Sequence, residues 1–188
     1  GRTLHFNLAG ELGVTGLDAG SLAVDFNTDV NFKVLGDTVQ LAAKANFYRT
    51  KPRFFQEQYH SKHLWWDQSL QSETRLHIEG LFSYHKTNTK LRVALDEIQN
   101  YTYFGMNYAI DASYNRKQLT AGVYQSSGNI NVMTAQLCQD FRWGIINWEN
   151  ILTYQNANSD ALPLPDLNLW SNLYLKFKIA RVLSVELG

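Results

Sequence analysis

The chain has 188 residues with no net charge, 18% charged and 13% aromatic side chains; that length allows one domain, and no one-signed field selects nucleic acid or strongly charged ligands. One cysteine, Cys138, excludes an internal disulfide and a cysteine-only metal site. No window approaches the ~20 apolar residues of a membrane helix, and residues 1–5 do not read as a signal peptide, which leaves a soluble fold or a β-barrel whose hydropathy hides in alternation.

Leu4, Phe6 and Leu8 alternate with His5 and Asn7 down to Leu12, predicting a first strand that runs into a Gly- and Asp-containing loop, 13–20. From Leu22 to Val34 every even position except Thr28 is apolar, while Asp25, Asn27, Asp29, Asn31 and Lys33 stand between them. After a break at Leu35-Gly36-Asp37-Thr38 the phase inverts: Val39, Leu41, Ala43, Ala45 and Phe47 now alternate with Gln40, Lys44 and Asn46. Period 2 around a Gly-Asp turn predicts a long hairpin with one apolar and one polar face.

A loop rich in aromatics and bases follows, 48–67, and closes on Trp65 and Trp66. Alternation returns with Leu70, Thr74, Leu76, Ile78 and Phe82 against Glu73, Arg75, His77 and Glu79, then a turn at 86–88, then Leu91, Val93 and Leu95 against Lys90, Arg92 and Asp96. The excursion 97–127 has room for short strands near 101–110 and 117–125. Ile130, Val132 and Thr134 open another strand, whose phase shift near 135–137 predicts a bulge. A turn at Gln139-Asp140-Phe141 is expected before Gly144, Ile146, Trp148, Leu152 and Tyr154. Loop 155–169 holds Leu162-Pro163-Leu164-Pro165, and Leu173 to Ile179 and Leu183 to Leu187 flank a turn at Ala180-Arg181. The pattern is all-β, with nine long strands and no amphipathic helix.

Long connections (13–20, 48–67, 97–127, 155–169) alternate with tight ones (35–38, 85–88, 139–142, 180–181). In an up-and-down meander all long loops then fall at one end, the asymmetry of a transmembrane antiparallel β-barrel. A 13-residue strand such as 22–34, at ~3.3 Å per residue and tilted by ~45°, covers roughly 30 Å, enough for the ~25 Å apolar band. Aromatic girdles are assigned to Phe32, Phe47, Trp65, Trp66, Phe82, Tyr103, Trp148, Tyr154, Trp170 and Phe177. A Lys or Arg facing lipid at the midplane costs about 2–4 kcal/mol, so the polar face must meet a watery lumen. The lumen set is Asp25, Asp29, Lys33, Lys44, Glu73, Arg75, Glu79, Arg92, Asp96, Glu149, Lys176 and Lys178; these side chains would rigidify the wall by cross-strand pairing and shape selectivity. Nine strands put the first and last in the same direction, so residues 1–188 are expected to be one barrel region belonging to a larger barrel with an even strand count.

The chemistry of the remaining motifs is sparse. His60 and His63 share one loop without a third ligand, and no nucleophile elbow, phosphate loop or dinucleotide fingerprint occurs. No enzyme and no cofactor is expected. The aromatic stretches 54–66 and 101–108 would pack the loops and anchor the girdle, or stack on sugars or a partner protein, and loop 97–127 would narrow the pore if it folded inward.

An ordered series from Trp65 onward resembles the putative porin family of the Bacteroidota: Leu64-Trp65-Trp66-Asp67, Gln99 to Phe104, Gln136 to Gly144, Asn150 to Gln155, Leu162 to Pro165, Leu173-Tyr174-Leu175 and Val182 to Gly188. The resemblance implies a β-barrel of porin type in a Gram-negative outer membrane, surrounded by outer-membrane lipid, and it supplies no catalytic residues; the mixed-charge lumen is what predicts passive diffusion of small polar solutes. A plugged structural or assembly barrel that binds an outer-membrane partner through its loops, and a soluble ligand-binding barrel with its apolar face inward, are the alternatives.

Overall fold

Strict alternation becomes ladder after ladder. The computed structural model describes residues 3–34, 36–159, 162–180 and 182–188. In chain order the strands are β1 (Thr3–Leu12), β2 (Leu22–Val34), β3 (Asp37–Thr50), the short β4 (Gln58–His60) and β5 (Trp65–Asp67), β6 (Glu73–Tyr84) and β7 (Thr89–Gln99). They continue with β8 (Thr102–Ile110), β9 (Arg116–Gln125), β10 (Ile130–Trp143), β11 (Ile146–Ala157), β12 (Leu167–Ile179) and β13 (Leu183–Leu187). Nine of them form one antiparallel sheet in the order β1-β2-β3-β6-β7-β10-β11-β12-β13, and β4-β5 and β8-β9 make two small hairpins outside it. Each main strand pairs with the next main strand along the chain, so the sheet is an up-and-down meander. Among the described residues no ladder joins the outer edges of β1 and β13.

Tight turns lie at one end, as expected. Gly36 (φ 85°) and Gly144 (φ 62°) take the left-handed conformation that lets the chain reverse in two residues, and Asn88 (φ 51°) does so after the 3-10 turn His85–Thr87. Leu35 and Arg181, parts of two expected turns, lie outside the described residues. The long loops at the other end are partly structured, with a one-turn helix at Phe54–Glu57 and a 3-10 turn at Gly16–Asp18.

Two local expectations are corrected. The turn placed at Gln139-Asp140-Phe141 is continuous strand: β10 pairs with β11 through Trp143↔Ile146, and the reversal is at Gly144-Ile145. Phe141 and Trp143 stack, with centroids 5.5 Å apart and planes 3° from parallel, which holds the strand extended past Asp140. The bulge expected near 135–137 is absent too, because register with both neighbours runs unbroken, Gln136↔Arg92 and Gln136↔Thr153. The apparent phase shift arises because Ile130 and Val132 are apolar side chains on the polar face, 1% and 7% exposed.

Burial is inverted relative to a water-soluble protein. In β7, Leu91, Val93 and Leu95 on the apolar face are exposed, whereas Arg92 and Asp96 on the polar face are part-buried and Ala94 between them is 1% exposed. The same alternation of exposed apolar and shielded polar positions runs along β6 and β11. Among the described residues no second layer packs on either face of the sheet's middle, so the polar side chains there are shielded chiefly by one another. Leaving Leu91, Val93, Leu95 and Leu137 in water would forgo roughly 1.5–3 kcal/mol each, so the apolar face calls for an apolar surrounding.

Candidate functional site: the polar face of the sheet

The registers bring all twelve residues expected in a lumen onto one face. The ladders run Asn27↔Lys44, Lys44↔Glu79, Glu79↔Ala94 and Ala94↔Thr134, so one row crosses five strands without changing sides. The next row is Asp25↔Asn46, Asn46↔His77, His77↔Asp96 and Asp96↔Val132. Asp29, Lys33, Glu73, Arg75 and Arg92 share the parity of these rows in their strands, and Glu149, Lys176 and Lys178 share it through β11 and β12.

Their carboxylates are held by nearby donors. Asn46 and the Tyr48 hydroxyl both donate to Asp25, and Asn31 Nδ2 donates to Asp29 at 3.1 Å. His77 sits between two acids, its Nδ1 2.6 Å from Asp96 and its Nε2 3.3 Å from Glu79, while Arg92 Nε donates to Glu79 at 2.7 Å. The Tyr174 hydroxyl donates to Glu149 at 2.7 Å, Lys176 pairs with Glu186 at 3.1 Å, and Arg75 pairs with Glu73. Charge-assisted bonds of this kind fix side-chain positions along the wall. Lys33, Lys44, Lys90 and Lys178 have no ion pair among the described residues. A depression of ≈ 320 Å³ in the wall is lined by His5, Asn27, Asp29, Lys44, Glu79 and Leu81, among others.

The loop end carries a second structure. Hairpin β8-β9 leans onto the segment before β6: Gln125 Nε2 donates to the Gln71 carbonyl at 2.8 Å, Gln68 Nε2 to the Val123 carbonyl at 3.2 Å, and the Thr102 amide to Glu73 at 3.2 Å. Val123 is 6% exposed at this contact. At the hairpin's far tip Asp111 accepts bonds from the Asn115 and Ser113 amides and pairs with Lys117 at 3.0 Å. The Asn115 amide first, then Lys117, hold the Asp111 carboxyl below its usual range despite some desolvation. Below the loops a cleft of ≈ 580 Å³ is lined by Asp18, Tyr48, Lys51, Arg53, Glu73 and Arg75, among others.

The aromatic girdle set divides. Phe32, Phe47, Phe82, Trp148, Tyr154 and Phe177 stand on the apolar face by register. Phe141, Trp143 and Trp148 cluster there beside the Gly144 turn, with centroids 5.4–6.5 Å apart. Trp170 does not join them: it pairs with Ile151 and shares the polar face with Asn172 and Tyr174. Leu169 beside it is apolar too, on the opposite face, so alternation alone does not reveal the side Trp170 takes. Trp65, Trp66 and Tyr103 lie in the small hairpins, where Trp65 stacks on His60 at 3.7 Å and Trp66 on Tyr59 at 4.8 Å, and Tyr103 stacks on Tyr101 and Tyr124. They are loop-packing residues rather than a belt on the sheet.

Sequence reading passed over Glu11, Asp140 and Arg142, which the ladders Glu11↔Ala23, Asp140↔Glu149 and Arg142↔Asn147 set on the same polar face. Strand parity would have found Glu11; the misplaced turn hid the other two. No curated protein and no solved structure matches the chain. A family model described as "Putative porin" does match, over residues 1–188. An antiparallel meander with its apolar side outward agrees with that match, and the chain belongs to the putative porin family.

Proposed function

We propose that this chain forms the wall of an outer-membrane channel through which small polar solutes diffuse passively, with no reaction and no cofactor. The observation that carries the proposal is the inverted burial along β6, β7 and β11, where Ile78, Leu91, Val93, Leu95 and Leu152 are exposed on the apolar face and Glu79, Arg92, Asp96 and Glu149 are part-buried on the polar one. Lipid satisfies the first and a water-filled lumen the second. The family match supports the same reading. A soluble ligand-binding barrel would bury Leu91, Val93 and Leu95 rather than Ala94 and Thr134.

In lipid an unpaired backbone edge costs several kcal/mol per group, so the proposal requires further strands between β1 and β13. These two run the same way, and antiparallel closure therefore takes an odd number of added strands. The test is the full-length protein, extracted in detergent and added to a planar lipid bilayer. Steady stepwise current is expected; recovery of the protein in detergent-free buffer, or membrane insertion without current, would overturn the channel reading. The second outcome would favour a plugged scaffold, for which the β8-β9 hairpin docked at the mouth is the relevant feature.

A further inference from the structure

The charges on the polar face are sorted along the strands. In the loop half stand Glu11, Asp25, Glu73 and Asp96, against Arg75 alone. In the turn half stand Lys33, Lys90, Arg92, Arg142, Lys176 and Lys178, against Asp29, Asp140, Glu149 and Glu186, while Lys44 and Glu79 oppose each other in the row between the halves. The ion pairs Arg75–Glu73 and Lys176–Glu186 cancel within their own halves, and Arg92 is spent on Glu79 near mid-strand. What remains is acidic near the long loops, with Asp25 bonded only to the neutral donors Asn46 and Tyr48. Near the tight turns what remains is basic by a narrower margin: Lys33, Lys90, Arg142 and Lys178 have no ion pair among the described residues, against Asp140 and Glu149, which have none either, and Asp29, which pairs with His5.

From this sorting we infer that the lumen is bipolar along its axis and conducts asymmetrically. The inference rests on the channel reading above. An acidic entrance gathers cations and a basic exit gathers anions. When the loop side is positive, each species is driven from the half that concentrates it toward the other, ions accumulate at the junction, and current is high. With the opposite sign both species are drawn out of the junction, which depletes and resists. Screening sets the size of the effect, because the field of each half must reach across the lumen.

The experiment records current against voltage for single channels of the full-length protein in planar bilayers. Sidedness is marked by streptavidin binding to a biotinylated Lys62→Cys, Cys138→Ser variant on the exposed loop. About twofold or greater current with the loop side positive is expected at ~0.1 M KCl, fading to near symmetry at ~1 M as the screening length falls from ~10 Å to ~3 Å. The triple variant Lys33→Glu, Lys90→Glu, Lys178→Glu makes both halves acidic, so its low-salt current should be symmetric and carried mainly by cations. Symmetric current from the native channel at low salt, asymmetry of the opposite sign, or asymmetry unchanged in the triple variant would each overturn the inference. The native salt series decides it even if the variant fails to fold, and absence of any current would instead sink the channel reading beneath it.

Discussion

At the scale of single residues, neighbouring positions of one strand live in opposite solvents. Val93 is 44% exposed on the outer face, and Ala94, one residue on, is 1% exposed on the inner. Val93→Arg sets a charge where lipid is expected and should cost about 2–4 kcal/mol at mid-strand. Lys44→Gln, on the watery face and without an ion pair among the described residues, should stay within about 0.5 kcal/mol. Equilibrium urea unfolding of protein refolded into lipid vesicles measures both, and a Lys44 change costlier than the Val93 one would contradict the assigned faces. The same two-solvent logic explains which residues could be read from sequence. Asp25, Lys44 and Arg92 were legible because their strand neighbours are apolar. Trp170 was not, because amphipathic rings occur at strand ends on either face and only its ladder to Ile151 reveals the side it takes.

At the scale of elements, β2 and β3 were legible because thirteen ladder pairs join them from Leu22↔Arg49 to Val34↔Asp37, and every one obeys a single phase. β10 resisted because two environments act on one strand. Its middle has one apolar and one polar face, but Ile130 is paired with Ile98 near the docked hairpin, where apolar side chains on the polar face are shielded. That docking is itself testable. Gln125 donates to the carbonyls of Gln71 and Asn100 at 2.8 and 3.1 Å and accepts from the Gln71 amide at 3.1 Å. Gln125→Leu removes these bonds and leaves their backbone partners unpaired, a loss of about 1–3 kcal/mol. Trypsin cleavage at Arg116 and Lys117 in intact vesicles should then rise roughly fivefold to a hundredfold, following the open population of the hairpin. An unchanged cleavage rate would mean that the hairpin is held by its aromatic stack, Tyr101–Tyr103–Tyr124, and not by Gln125.

At the scale of the whole molecule, the nine-stranded sheet is a single layer whose stability depends on what lies on each side. Water on both sides would strand the exposed leucines and phenylalanines, and lipid on both sides would strand the part-buried carboxylates at several kcal/mol each. The proposed division, lipid on the apolar face and water on the polar one, satisfies both, and the family match supports it. The loop asymmetry was visible in the spacing of turns, whereas closure is a property of edges, which alternation within a strand does not encode. The division of solvents is read most directly by spin labels placed singly at positions 91 to 97 in a Cys138→Ser background, in lipid vesicles. Labels at 91, 93 and 95 should collide with oxygen dissolved in the bilayer, and those at 92, 94 and 96 with a water-soluble nickel reagent, alternating residue by residue. The reverse phase, or water access on both faces, would contradict the account.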